Sequence, residues 1–228
     1  MVPTTDLHGQ CTKKHSGTSA SAPVLAGIIA LALEANPRLT WREVQHLLVM
    51  CSNKDGLIAP DWRQNGAGNW FSHRFGFGAV DALKMIQYSK HYTLPVQKKC
   101  NYQFNASAMN IPTYTMAITT YNRPNCPTVL EHVVLETTAK FKNRGFFKLM
   151  LMSPMKTQSN LHMMRPNDTS SLPLIDWRFL SVHFWGESPW GKWSFYLREY
   201  TREKPESIDD YVTDFDHEAS FNLVLYGH

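Results

Sequence analysis

The hydrophobic pattern changes period once along the chain. From residue 20 to about residue 90 apolar positions recur at helical spacing, and beyond Leu94-Pro95 they alternate. Between Ala20 and Ala35 nearly every position is apolar, which predicts a helix buried on every side rather than one lying on a surface. Asn36-Pro37 ends it. Thr40 followed three residues later by Glu43 makes a capping box, and Val44, Leu47, Leu48 and Cys51 then mark one face of a second helix. A glycine-punctuated passage, Gly66 to Gly78, leads into a third helix from about Ala79 to Ser89, with Val80, Leu83 and Ile86 as its core stripe.

In the second half Val133, Leu135, Thr137, Ala139 and Phe141 alternate with Val134, Glu136, Thr138 and Lys140. Trp193, Phe195 and Leu197 alternate with Ser194, Tyr196 and Arg198, and Phe221, Leu223 and Leu225 close the chain the same way. Period-two strands separated by Pro, Asn and Gly turns predict an antiparallel sandwich. The boundary between the two patterns divides the chain into domains 1–94 and 95–228. The charge-rich passage Arg202 to Asp216 reads as a loop.

Composition narrows the class. The chain of 228 residues, 43% hydrophobic and 18% charged, suits a globular protein of one large or two ordinary domains. Its net charge of +4 is mild, and scattered Lys and Arg draw no nucleic-acid footprint. The longest apolar run, Val24 to Ala35, falls short of the roughly 20 residues of a membrane-spanning helix. The start of the chain has neither the basic leader nor the apolar core of a signal peptide. Asn105-Ala106-Ser107 and Asn167-Asp168-Thr169 are nevertheless glycosylation sequons, a modification of secreted proteins. Cys100 and Cys126 can close a loop of about 26 residues, worth roughly 3 kcal/mol in the chain-entropy model. Cys51 reads as a buried free thiol, and no CxxC spacing or His cluster points to a metal in this chain.

The sharpest chemical signal is His15-Ser16-Gly17-Thr18-Ser19-Ala20-Ser21-Ala22-Pro23. Ser19 stands at the mouth of the apolar helix, where backbone N–H groups and the helix dipole favour developing negative charge. Small neighbours let a substrate backbone approach closely, and Pro23 suits a first helical turn. The bland alternative is a serine that merely caps a core helix.

The wider context, "HSGTSASAPVLAGIIALALEANPRLTWREVQHL", resembles the nucleophile region of subtilisin-like serine proteases of the kexin/furin proprotein convertase type. The resemblance continues through "RFGFGAVDA" at 74–82, Cys100, "SPM" at 153–155, "RP" at 165–166, "DW" at 176–177, the His183, Trp185, Pro189, Gly191, Trp193 series and "LVLYG" at 223–227. It implies an α/β fold, the C-terminal helices of a subtilisin-like catalytic domain over 1–94, followed by an all-β, jelly-roll-like P (Homo B) domain over 95–228.

The same resemblance implies that Ser19 is the nucleophile of a calcium-dependent endopeptidase that cleaves secretory precursor proteins after paired basic residues. Thr18 and His15 border its substrate cleft. Chain order in subtilisin-type enzymes is Asp, His, Ser, so the base and the acid belong upstream of Ser19. Asp6, His8 and His15 are the candidates within the chain, and none stands in the family's Asp-Ser-Gly or His-Gly-Thr setting. The resemblance therefore places the partners, the calcium ligands and the rest of the catalytic domain outside these residues, and implies a chain inactive alone. It also implies a secretory-pathway location and an earlier partner for Cys11. The sheet that the first helix should pack on would likewise lie upstream, leaving Ile28, Ile29, Leu31 and Leu33 uncovered. Arg144-Gly145-Phe146 stands where many convertases carry Arg-Gly-Asp. The alternative reading is a non-catalytic short isoform in which the β-domain acts as a binding or folding module, with Trp177, Phe179, Trp185, Trp190 and Trp193 as candidate contacts.

Overall fold

The computed structural model describes residues 2–106, 114–200 and 219–228. The loop reading of Arg202 to Asp216 falls outside them. In chain order the elements are β1 (Val2–Thr5), β2 (Cys11–His15), α1 (Thr18–Ala35), α2 (Trp41–Met50), β3 (Ser52–Asn53), β4 (Arg63–Gln64), β5 (Trp70–Phe71), β6 (Ala79–Val80) and α3 (Ala82–Ser89). Eight strands follow: β7 (Lys98–Ala106), β8 (Tyr114–Thr120), β9 (Leu130–Ala139), β10 (Phe147–Met152), β11 (Gln158–His162), β12 (Leu174–Ser181), β13 (Gly191–Glu199) and β14 (Ala219–Gly227). The chain divides into two units: residues 1–62 with 72–94, and residues 63–71 with 95–228.

The first unit is helical around a small core. Ala32, Leu39, Leu47, Cys51 and Met85 are buried, with Ile28, Ile29, Val44, Leu48, Val80 and Tyr92 packed against them. The capping box is present: Thr40 Oγ1 accepts from the Glu43 N–H, and Glu43 Oε2 accepts from the Thr40 N–H at 2.8 Å. Asn36 ends α1 and donates its amide to the Ser89 carbonyl at 2.8 Å, tying that end to the end of α3. Two antiparallel ladders, β1 with β2 and β3 with β6, complete the unit.

Two sequence expectations change here. Helix α1 is not buried all round: Ile28 and Ile29 are half-covered by the α2–α3 core, whereas Val24, Leu31 and Leu33 are exposed. Among the described residues Ala20 and Ala32 are the buried positions of the helix, and Leu25, Ile28, Ile29 and Ala35 are half-buried. The stripe of α3 also differs. The helix begins at Ala82, Val80 lies in β6, Met85 is the fully buried position and Leu83 is exposed. Asp81 sets that phase by accepting from the Lys84 N–H at 3.0 Å, so the helix starts later than hydrophobicity alone suggests.

The second unit holds two four-stranded antiparallel sheets, ordered β11-β10-β13-β8 and β12-β9-β14-β7. The period-two positions do face inward. Val133, Leu135, Leu223 and Leu225 from one sheet meet Leu149, Leu151, Trp193 and Phe195 from the other in a single core. Aromatic side chains fill its centre: Phe104 lies 4.6 Å from Phe195 and 5.4 Å from Phe221, centroid to centroid. A disulfide joins Cys100 on β7 to Cys126, with the two Cα atoms 5.3 Å apart.

Candidate functional site

Gly17 makes the turn from β2 into α1. Its φ of 124° is a conformation that favours glycine, and it caps the helix without a side chain. The first turn is tight, with the Ala20 N–H donating to the Gly17 carbonyl at 3.0 Å, and Ser21 Oγ donating to the Thr18 carbonyl at 2.5 Å. Pro23 is the sixth residue of the helix, not part of its first turn, and has no N–H to give the Ser19 carbonyl. Ser19 is exposed. No described residue accepts from its N–H or hydrogen-bonds its hydroxyl. An exposed hydroxyl leaves room for a general base, which acyl attack requires, and an unpaired amide at a helix N-terminus can donate to an oxyanion.

Thr18 opens the helix and His15 ends β2, both exposed, with His15 paired to Val2 across the ladder. Asp6 spends its carboxylate on its own turn, accepting from the Leu7 N–H at 2.8 Å, and His8 sits next to it at φ 58°. Among the described residues no hydrogen bond joins Ser19 to Asp6, His8 or His15. At 18 residues α1 is long and apolar enough, by length and composition, to count as a candidate membrane span, which the sequence reading did not anticipate. Ala32 is buried in the α2–α3 core with Ile28 and Ile29 packed beside it, while most of the helix is exposed.

The other sequence-singled residues lie in the second unit. Asn167 is exposed in the Pro166-Asn167 turn. Asn105 pairs with Ser220 near the end of β7; its side chain and Ser107 of its sequon are outside the described residues. Trp185 and Trp193 are buried, as is Phe179, and Trp190 is half-buried, whereas Trp177 is 48% exposed. Cys51 is buried, and burial pushes its thiol up; Cys11 is exposed and free. The carboxylates of the outer face of the β9–β14 sheet are engaged by protein groups: Glu136 by Arg178 at 3.0 Å and Asn222 at 2.7 Å, and Asp176 by Thr138. Sequence reasoning missed one buried polar cluster, Asn65, Thr157 and Glu187, because its members lie far apart in the chain.

Comparison with known proteins gives this geometry a context. Residues 1–78 match the Subtilase family, and residues 130–212 match the proprotein convertase P-domain. The chain is 43% identical over 205 residues to proprotein convertase subtilisin/kexin type 4 of Mus musculus, covering 86% of this chain and 31% of that protein. It is 40% identical over 232 residues to Mus musculus furin, covering all of this chain and 28% of furin. It thus spans about three-tenths of the length of these relatives. Among solved structures, the serine protease of Aeromonas sobria superposes with a TM-score of 0.72 at 22% identity, over 96% of this chain and 46% of that one, a likeness of fold.

Proposed function

Because the chain belongs to the kexin/furin-type proprotein convertases, we propose that it contributes the nucleophile and the P domain of a serine endopeptidase that processes secretory precursors after paired basic residues. The observation that carries this reading is the exposed Ser19 at an uncapped helix N-terminus, inside the segment matched by the Subtilase family. In this reading Ser19 Oγ attacks the scissile carbonyl, its own N–H donates to the oxyanion, and a histidine oriented by an aspartate takes the proton. Neither partner is assigned within this chain. Thr18 and His15 border the cleft. In this reading the calcium dependence is that of the family's catalytic domain, and no residue here is assigned to it.

The β-sandwich is read as a jelly roll. Its two strand orders support this, since each sheet alternates early and late strands, as two nested Greek keys do. The disulfide and the sequons at Asn105 and Asn167 support a secretory-pathway setting. Both asparagines are proposed acceptors.

The test uses an Arg-Xaa-Lys-Arg peptide and a serine-directed fluorophosphonate. The 228-residue chain alone is expected to cleave none of the peptide. A longer protein that supplies the histidine and aspartate is expected to cleave it and to be labelled at Ser19. In subtilisin, loss of the serine or histidine alone costs about 10⁶-fold in turnover, so Ser19→Ala should remove activity to that degree. Turnover by the short chain, or full activity of the Ser19→Ala protein, would sink the reading.

A further inference from the structure

Residues 63–71 interrupt the first unit and group with the sandwich, although the chain on either side continues into the first unit. They form a hairpin, Arg63 opposite Phe71 and Gln64 opposite Trp70, that shares no ladder with any sandwich strand. Its tip is built by one side chain. Asn65 Oδ1 accepts from the N–H groups of Ala67 at 3.0 Å and Asn69 at 2.9 Å, while the Asn65 N–H donates to the Asn69 carbonyl.

The same residue reads the sandwich. Asn65 Nδ2 donates to the carbonyls of His183 and Trp185, each at 2.9 Å, and Asn69 Nδ2 donates to the Trp185 carbonyl at 2.9 Å. The Gly66 N–H donates to Thr157 Oγ1 at 2.9 Å and to Glu187 Oε1 at 2.8 Å, and the Thr157 hydroxyl donates to that same carboxylate oxygen. Glu187 is fully buried and Asn65 is 5% exposed. Phe71 stacks on His183 at 4.2 Å.

The fit is steric as well as polar. A Cβ at position 66 would lie 2.4 Å from the Met155 Cβ, so the backbone comes this close only as glycine. Gly186, at φ 84°, faces Ala67 and Asn69 from the other wall. That wall is preformed by the sandwich itself. The Leu130 N–H donates to the Glu187 carbonyl and the Gly186 N–H to the Leu130 carbonyl, and the Ser153–Thr157 turn closes on its own 2.9 Å bond.

We propose that the sandwich carries a recognition cleft for an Asn-Gly-x-Gly-Asn hairpin, that its occupant is residues 63–71 of this chain, and that the hairpin docks and releases as a unit while the sandwich stays folded. Asn65, Gly66 and Asn69 carry polar contacts across the cleft, and among the described residues no strand ladder joins the hairpin to the sandwich. Elements held by local contacts open below the global unfolding limit.

Amide hydrogen exchange on the whole chain tests this with Asn65→Asp, which sets a carboxylate against the carbonyls of His183 and Trp185 and touches no sandwich core residue. Amides of residues 66–69 should exchange about tenfold faster or more, while those of β9, β13 and β14 stay within about twofold of the wild-type chain. Unchanged hairpin amides would remove the cleft as the holding site. Hairpin and strand amides accelerating together would make the hairpin an integral part of the core, and also overturn the proposal. If the variant does not fold, the wild-type chain decides in sub-denaturing urea: hairpin amides opening before the strands support release, and a common opening refutes it.

Discussion

Gly145 is held between two backbone carbonyls: a Cβ there would lie 2.2 Å from the Asp168 oxygen and 2.3 Å from that of Arg165. The segment it approaches is fixed by charge. Arg144 grips the Asp168 carboxylate through Nε at 3.0 Å and an Nη at 3.1 Å, and Arg165 pairs with the same carboxylate. The Arg144 hydrogen bond holds the Asp168 carboxyl below its ordinary range. Gly145→Ala must push the 165–168 turn away, which should cost about 1–3 kcal/mol and lower the melting temperature; an unchanged melt would show that the turn yields freely. His162 gives a second case. Its ring stacks on Phe147 at 3.8 Å, its Nδ1–H donates to the Phe147 carbonyl at 2.9 Å, and its buried Nε2 has no hydrogen-bond partner among the described residues. Burial pushes its pKa down, against the opposing pull of that carbonyl, with nearby Arg165 also lowering it and Asp168 raising it. The unfolded chain therefore binds the proton more readily, so stability is complete above the ordinary histidine value near 6.5 and declines as pH falls from there toward the folded value. Melting temperature should drop on acidification through that window, and less so for His162→Gln; an identical drop would exclude His162 as the source. The Arg144–Asp168, Gly145 and His162 contacts were not legible in the sequence, because each joins residues distant in the chain, whereas the place of Ser19 at a helix N-terminus lies within one motif and was.

Elements with local determinants were legible, and those with remote ones were not. The α2 start follows from Thr40 and Glu43 alone, and the structure has both reciprocal bonds. Glu43 is worth more than the motif suggests, since its second oxygen accepts from the Leu94 N–H at 3.2 Å, and the Thr40 and Leu94 bonds hold its carboxyl low against the upward push of desolvation. Thr40→Ala should cost about 1 kcal/mol, read as a lower melting temperature of the first unit; no loss would mean that the Leu94 bond carries the helix start unaided. The inward positions of β9, β13 and β14 were equally readable, because period two settles which face is apolar. Helix α1 was legible only in part, since Leu31 and Leu33 are exposed as the resemblance implied, while Ile28 and Ile29, expected bare, are half-covered. Apolarity on every side says that a helix is made to be covered, and Val24, Leu31 and Leu33 remain exposed where no described element reaches them. The third stripe failed because Val80 and Met85 belong to different elements, so a single helical phase could not join them.

At the scale of the molecule, the change of period at Leu94-Pro95 marks where the sandwich begins in sequence, but residues 63–71 join it from the other side of that point. Glycine-rich composition read as a connection, since Gly66 and Gly68 tell nothing of a partner more than eighty residues away. The consequence is thermodynamic. Residues 95–228 alone would keep Glu187 buried with only the Thr157 hydroxyl on Oε1, and would leave the carbonyls of His183 and Trp185 without the Asn65 and Asn69 donors. A buried acceptor that loses its donor costs about 1–3 kcal/mol unless water replaces it. A chain of residues 63–228 should therefore melt above one of 95–228, and a synthetic peptide of residues 61–73 should raise the melting temperature of the shorter chain in a concentration-dependent way, as any ligand of the folded state does. Asn65→Asp in that peptide should abolish the rise. If the two chains melt alike and the peptide shifts nothing, the sandwich is self-sufficient from Pro95 onward and the hairpin is only a passenger on it.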